Sequence, residues 1–171
     1  KTKKMIAIPT PEIKQIIKVL SKTGLRISEL LTVRHSDIKL IKGMYNLSVR
    51  GKGNKERIVY LDKETYKETN TIFGGKYYLC EFGTSKEYSD IEHRKIYKFV
   101  FDSIRKASKA ILGRSDIHPH SFRHYVANDF LNIKKLDLKA VSQYLGHAST
   151  DTTTKFYQQS KLKPGDIFGE K

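Results

Sequence analysis

Apolar residues recur every three or four positions along several segments of the chain, and signals that start or stop a helix bound these segments. The first segment follows Thr10-Pro11-Glu12 and ends at Gly24. A hydroxyl cap followed by proline at the first helical position starts a helix, and glycine commonly ends one. The same period and similar boundaries predict five further helices, around residues 27–31, 90–112, 119–131, 138–145 and 151–159.

One region follows a different period. Tyr45, Leu47 and Val49 alternate with polar residues, which is typical of a β-strand. The turn residues Gly51-Lys52-Gly53-Asn54 come next, and residues 57–61 form the predicted return strand. Residues 77–82 are predicted to form a third strand. The sequence therefore predicts a mainly α protein with a small antiparallel β-sheet, an α+β fold.

The charge of the chain predicts a polyanionic partner. Its 171 residues include 33 Lys and Arg but 18 Asp and Glu, which gives a net charge of +15. This length favours a single domain, and such an excess of cations is typical of proteins that bind nucleic acid. An anionic membrane surface is the other usual partner, but the cations are spread over many segments and do not line one amphipathic helix.

Several classes of protein are excluded by what the sequence lacks. Cys80 is the single cysteine, so the chain has neither a disulfide framework nor a cysteine-based zinc cluster. Pro9 ends the first apolar run after four residues, which is too short for a signal peptide, and nothing approaches a membrane span. We therefore expect a soluble intracellular protein, or a piece of one, with no membrane partner.

Two clusters of charged residues are candidates for binding a phosphate. Arg26 and Glu29 lie three residues apart in Thr23-Gly24-Leu25-Arg26-Ile27-Ser28-Glu29-Leu30, and so share one face of a helix. The hairpin turn carries basic residues that could reach a phosphate or a DNA groove, namely Arg50, Lys52, Lys55 and Arg57. Taken alone, the first cluster would be read as a solvated ion pair and the second as an ordinary hairpin tip.

The third cluster is His118-Pro119-His120-Ser121-Phe122-Arg123-His124. His120 and Arg123 lie three residues apart at a predicted helix start, where backbone N–H groups also favour an anion. A zinc site is the rival interpretation, but no carboxylate or cysteine completes a ligand set, so we predict no metal. Histidines without a function remain the third possibility.

The fourth cluster follows the last glycine break. His147 comes directly after Gly146, and Tyr157 lies ten residues further on. Taken alone, these two residues could be a structural histidine and a packed aromatic side chain.

Together and in this order, the four clusters resemble the catalytic domain of the tyrosine recombinase family, which includes phage integrases and Xer-like enzymes. The resemblance rests on Thr-Gly-Leu-Arg-Ile-Ser-Glu-Leu, Gly-Lys-Gly-Asn-Lys-Glu-Arg, His-x-x-Arg-His and Leu-Gly-His. It extends from Thr10 to about Gln159. It implies that residues 1–9 are the remnant of a linker, 10–160 the catalytic core and 161–171 a C-terminal tail. It also implies that the family's N-terminal core-binding domain is absent from this chain.

The resemblance assigns a role to each candidate residue. Arg26 and Arg123 would bind the scissile phosphate, and Lys52 would protonate the leaving 5′ oxygen. His120 and His147 would complete the phosphate pocket, with His120 also accepting a proton. Tyr157 would be the nucleophile. Glu29 occupies the family's accessory acidic position, and Arg50, Lys55 and Arg57 are predicted to contact DNA.

The sequence departs from the family pattern at the nucleophile. In most relatives the tyrosine follows the histidine of Leu-Gly-His by nine residues, but Phe156 holds that position here and Tyr157 is the tenth. The local pattern Thr153-Thr154-x-x-Tyr157 is kept, so one extra residue in the preceding turn explains both facts. Tyr144, the alternative tyrosine, precedes His147 and fits no family pattern.

The resemblance therefore implies a site-specific recombinase or integrase that cuts and rejoins DNA without a metal or cofactor. It would act through a covalent 3′-phosphotyrosine intermediate, as a homotetramer on two double-stranded DNA sites, while the isolated domain would be a monomer. We expect it in the cytoplasm, at the nucleoid. Three alternatives remain open: a type IB topoisomerase-like relaxase, Xer-type dimer resolution instead of integration of a mobile element, and a DNA-binding module without catalysis.

Overall fold

The computed structural model describes residues 9–83 and 86–146, and their main elements are six α-helices and one three-stranded sheet. The helices are α1 (Pro11–Thr23), α2 (Ile27–Leu30), α3 (Lys63–Phe73), α4 (Asp90–Leu112), α5 (Pro119–Asn128) and α6 (Leu138–Leu145). The strands are β1 (Ile38–Ile41), β2 (Met44–Arg50) and β3 (Glu56–Leu61). The predicted mainly α fold with a small antiparallel sheet is therefore confirmed. The helix predicted at 151–159 lies outside the described residues.

The capping residues predicted from the sequence form hydrogen bonds at the starts of α1 and α4. At the start of α1, Thr10 Oγ1 accepts a hydrogen bond from the Ile13 N–H at 3.3 Å. At the start of α4, the Ser89 and Glu92 side chains each accept a hydrogen bond from the other residue's N–H, a capping box. Beyond Asn128, α5 continues into a π-helical turn over Asp129–Ile133, so this helical segment ends close to the predicted position.

The sheet has the order β1-β2-β3, and both pairs of strands are antiparallel. Between β2 and β3, Leu47 lies opposite Val59 and Tyr45 opposite Leu61. Leu47, Val59 and Leu61 are buried, as is Val49, so alternate residues of both strands enter the core. The hairpin predicted from residues 45–61 is confirmed.

The prediction of a strand at 77–82 is wrong. This segment forms a turn in which the Glu81 carboxylate accepts hydrogen bonds from the N–H groups of Lys76, Tyr77 and Tyr78. Those donors are then unavailable for a sheet ladder, and an isolated bridge between Tyr78 and Arg34 remains. The third strand is instead β1, whose Leu40 and Ile41 are largely exposed.

Helix α3 was not predicted from the sequence, because its fully buried residues are polar. Thr65 and Thr69 are its buried residues, and Gln15 Nε2 of α1 donates a hydrogen bond to Thr69 Oγ1 at 2.9 Å. Its boundary signals are nevertheless present: the Asp62 carboxylate caps the Thr65 N–H at 2.9 Å, and Gly74 follows the last turn. A search for an apolar stripe cannot find such a helix.

One apolar core joins the elements. Helix α1 packs against α3, α4, α5 and β3. Its core residues are Ile13, Ile16, Val19 and Leu20, and they meet Val100 and Ile104 of α4 and Val126 of α5 in one cluster. Across 9–83 and 86–146, none of the helices combines the length and the apolar character that crossing a membrane requires.

Gly24 is the tightest point of this packing. It ends α1 with a φ of +67°, a conformation that favours glycine. A Cβ atom at Gly24 would lie 2.5 Å from Leu145 Cδ2 and 3.1 Å from Val126 Cγ1, both of them buried. The absence of a side chain therefore lets α5 and the end of α6 approach the loop that leads into α2.

We predict that Gly24→Ala lowers the free energy of unfolding by about 2–4 kcal/mol, as the sum of left-handed strain and overpacking. Gly113→Ala is the matched control, because Gly113 also ends a helix at φ +67° but a Cβ there would meet nothing within 4 Å. The control is expected to cost about 1 kcal/mol. Urea unfolding of both variants measures the difference, and equal losses would contradict the packing argument.

Candidate active site

Three consecutive backbone carbonyls at the end of α6 each accept a hydrogen bond from a different arginine. Arg57 Nε donates to the Tyr144 carbonyl at 2.9 Å, and Arg123 Nη2 donates to the Leu145 carbonyl. Arg26 Nη1 and Nη2 both lie 3.4 Å from the Gly146 carbonyl. The last carbonyls of a helix have no partner within it and carry a partial negative charge. The end of α6 therefore gathers Arg26, Arg57 and Arg123, which we call the arginine cluster.

Arg26 lies at the N-cap position of the short helix α2 and joins the cluster from there. Its backbone N–H donates to Glu29 Oε1 at 2.9 Å, and the buried Leu25 and Ile27 on either side fix the backbone. The side chain keeps 27% of its surface exposed, and its two contacts with the Gly146 carbonyl are long. Arg26 is thus the loosely held member of the cluster.

Arg123 is buried more deeply, with 6% of its surface exposed. Besides the Leu145 carbonyl, it bonds the Gly24 carbonyl through Nη1 at 2.7 Å. Burial, followed by the charge of Arg26, lowers the pKa of Arg123 to about 10. The guanidinium therefore stays charged at neutral pH and is fixed between the end of α1 and the end of α6.

Glu29 supplies the negative charge of the cluster. Its buried carboxylate accepts two hydrogen bonds from Arg57, at 2.5 and 3.1 Å, and lies 3.7 Å from Arg26 Nη1. Burial alone would raise the pKa of Glu29, but the hydrogen bond and charge of Arg57, helped by Arg26, hold the pKa below its usual value. One ionised carboxylate thus separates two guanidinium groups.

His120 lies in the first turn of α5, one turn before Arg123. Burial is the main cause that lowers its pKa, and the charges of His118, Arg123 and Arg26 act in the same direction. His120 is therefore neutral at physiological pH and able to accept a proton. Its ring centroid lies 5.8 Å from that of His118. The described residues place no three His, Cys, Asp or Glu side chains where they could hold a metal ion together.

The hairpin turn separates its basic residues into two groups. Arg50 and Lys55 are exposed on either side of the 3-10 turn Lys52–Asn54, as a DNA contact requires. Arg57, which the sequence grouped with them, instead points toward Glu29 and α6. Lys52 begins the turn, and its side chain lies outside what the structure describes.

His147 and Tyr157 also lie outside the described residues. The alternative tyrosine, Tyr144, is described and is almost completely buried. Its hydroxyl accepts a hydrogen bond from the Tyr60 N–H at 3.0 Å, and burial raises its pKa well above the usual range. Tyr144 is therefore built into the core and is not available as a nucleophile in this conformation.

Similarity to known proteins identifies the family of the chain. Residues 2–163 match the model of the Phage integrase family. The chain belongs to this family, and its fold is that of the catalytic domain of tyrosine recombinases.

Two curated relatives show how much of such a protein the chain covers. It is 32% identical over 158 residues to the tyrosine recombinase XerC of Chlorobaculum parvum, covering 86% of this chain and 46% of the relative. It is 31% identical over 172 residues to XerD of Staphylococcus saprophyticus, covering 91% and 52%. The chain thus spans about half the length of these relatives.

Two solved structures resemble the fold. The XerH site-specific recombinase bound to its difH substrate, in a pre-cleavage complex, has a TM-score of 0.61 and 25% identity, covering 88% of this chain and 44% of that one. The catalytic core of lambda integrase has a TM-score of 0.63 and 20% identity, covering 91% and 90%. At 20% identity, the similarity to lambda integrase concerns the fold alone.

We predict that Glu29→Gln destabilises the protein by about 2–4 kcal/mol at pH 7, because it leaves buried guanidinium groups without a counter-charge. Glu68→Gln is the matched control, since Glu68 pairs with Lys18 at the surface and its loss is expected to be much smaller. Urea unfolding compares the two variants.

The loss of stability in Glu29→Gln should depend on pH. A carboxyl whose pKa is lowered by folding stabilises the folded state above its ordinary pKa of 4.5 and loses that contribution as the pH falls below it. The difference between wild type and Glu29→Gln should therefore narrow below pH 4.5. A difference that is small at pH 7, or that widens in acid, would contradict the role of Glu29.

Proposed function

We propose that the protein is a site-specific DNA recombinase that cuts and rejoins strands through a covalent 3′-phosphotyrosine intermediate. The observation that carries this proposal is the convergence of Arg26 and Arg123 on the carbonyl end of α6, directly before His147 in the chain. Membership of the integrase family supports it, as does the similarity to XerH, a site-specific recombinase whose structure holds its difH substrate.

The arginine cluster suits a scissile phosphate. A phosphodiester repels nucleophiles through its charged oxygens, and the transition state spreads further negative charge over them. Arginine is always ionised and donates parallel hydrogen bonds, so two arginines fixed in advance stabilise that charge without a metal ion. Arg26 exchanges its long contacts with the Gly146 carbonyl for the phosphate. Arg123 keeps its two carbonyls and offers its remaining N–H groups.

The chemical step uses four further residues. The Tyr157 oxygen attacks phosphorus while the phosphorus bond to the 5′ oxygen breaks. Neutral His120 takes the phenol proton, because an unperturbed tyrosine with a pKa near 10 is a poor nucleophile at neutral pH. Lys52 donates a proton to the leaving 5′ oxygen, and His147 donates a hydrogen bond to the phosphate.

Rejoining is the reverse of the same step. A 5′ hydroxyl attacks the phosphotyrosine ester, Tyr157 leaves, and the two protons return, so no nucleotide cofactor is consumed. Arg50 and Lys55 hold the DNA backbone beside the turn that carries Lys52. The recombinase acts on DNA at the nucleoid in the cytoplasm, and four copies join two DNA sites.

We predict that Tyr157→Phe abolishes the covalent adduct with DNA but leaves DNA binding intact. The substrate is a nicked duplex that carries a sequence selected by the protein from a random pool, and denaturing electrophoresis detects the adduct. Tyr125→Phe is the matched control, because Tyr125 is an exposed tyrosine on α5 outside the proposed chemistry. The double variant Phe156→Tyr/Tyr157→Phe tests whether the tenth position is required. An undiminished adduct in Tyr157→Phe would place the nucleophile elsewhere.

We also predict that removal of divalent ions leaves cleavage unchanged, because arginines supply the charge that a metal would otherwise supply. The rate of adduct formation is measured on that substrate with and without excess EDTA. A loss of activity in EDTA that magnesium or zinc restores would contradict the proposed mechanism.

A further inference from the structure

Arg57 uses all three of its guanidinium nitrogens inside the protein. Nη1 and Nη2 donate to the two oxygens of the Glu29 carboxylate, at 2.5 and 3.1 Å, and Nε donates to the Tyr144 carbonyl at 2.9 Å. The side chain keeps only 12% of its surface exposed. A side chain bound in this way has little surface left to offer a DNA phosphate.

The guanidinium of Arg57 also fills the space beside two glycines. A Cβ atom on Gly146 would lie 2.7 Å from Arg57 Cζ and Nη1 and 2.8 Å from Nε, and Gly146 has a φ of +67°. A Cβ atom on Gly51 would lie 3.4 Å from both Arg57 Nη1 and Glu29 Oε2. Arg57 therefore lies against the backbone directly before His147 and directly before Lys52.

These contacts join three elements that adjoin proposed catalytic residues in the chain. Glu29 belongs to α2, which Arg26 caps, and the Tyr144 carbonyl belongs to the end of α6. Arg57 itself belongs to β3, the strand that follows the Lys52 turn. The planar, bidentate geometry of a guanidinium fixes direction as well as distance, which a single ammonium group does not.

We propose that Arg57 is a positioning residue that sets Arg26, the Lys52 turn and the backbone at the end of α6 relative to one another, and that it does not bind DNA. This inference rests on the proposed function, because the geometry that Arg57 sets is that of the phosphate site. It assigns to Arg57 a role different from that of Arg50 and Lys55, its neighbours on the hairpin.

The two roles predict different measurements. A residue that contacts a phosphate contributes to affinity, and its loss lowers the slope of log K against log salt by about 0.9. A positioning residue leaves affinity and slope unchanged but slows the chemical step, since small misplacements of reacting groups cost up to about 100-fold. The dissociation constant at several salt concentrations, and the single-turnover rate at saturating protein, separate the two.

We expect Arg57→Ala to slow single-turnover cleavage at least about 10-fold, with an unchanged salt slope and a dissociation constant within about threefold of wild type. Arg50→Ala, on the same hairpin, should weaken binding and lower the salt slope. Arg114→Ala is the neutral control, because Arg114 is an exposed partner of Asp116 in the loop before α5. It should change neither quantity.

Arg57→Lys protects the test against a variant that does not fold, because it keeps the charge beside Glu29. Its cleavage should also stay at least about 10-fold below wild type, since one ammonium group cannot reproduce the three directed hydrogen bonds. Wild-type cleavage by Arg57→Lys, or a lowered salt slope with wild-type cleavage in Arg57→Ala, would overturn the positioning role. Absence of any adduct with the wild-type protein would instead refute the proposed function, so the two failures are distinguishable.

Discussion

The candidate site depends on the hydrogen bonds that three arginines donate to the backbone carbonyls at the end of α6. Three guanidinium groups repel one another strongly when they are partly buried, and they stay together because three helix carbonyls and the Glu29 carboxylate accept their hydrogen bonds. The dipole of the helix and a full negative charge thus act on the same cluster. The fold brings α2, β3 and α5 to this helix end. The missing Cβ of Gly24 lets α5 and the end of α6 approach the loop that leads into α2.

The three arginines divide the work according to how firmly they are held. Arg57 is bound on every guanidinium nitrogen, and Arg123 is bound to the carbonyls that end α1 and α6. Arg26 has two long contacts and the most exposed side chain of the three. The free-energy cost of desolvating the arginines and bringing their charges together is therefore part of folding. Binding of a phosphate does not add that cost again. Such preorganisation is the basis of electrostatic catalysis. The lowered pKa of His120, caused chiefly by burial, prepares a proton acceptor in the same way.

Capping residues and periodicity were sufficient to predict the hairpin and five of the described helices. The motifs singled out Arg26 and Arg123, two of the three arginines that meet at the end of α6. These patterns could not reveal α3, because its fully buried residues are polar. They misplaced the third strand, because the Glu81 carboxylate takes the backbone N–H groups of Lys76, Tyr77 and Tyr78. The orientation of Arg57 was also hidden, since a basic residue beside a basic turn has the same sequence signature whether it faces DNA or a buried carboxylate. Only the tertiary contact between β3 and α2 distinguishes these cases.

A crystal structure of the protein trapped on a nicked suicide duplex is the most direct test of this account. We expect a covalent bond from the Tyr157 oxygen to a 3′ phosphate. Arg26 should have moved from the Gly146 carbonyl to a phosphate oxygen, and Arg57 should still be paired with Glu29. DNA bound with Arg26 still on the Gly146 carbonyl, or with Arg57 moved from Glu29 to a phosphate, would contradict this account.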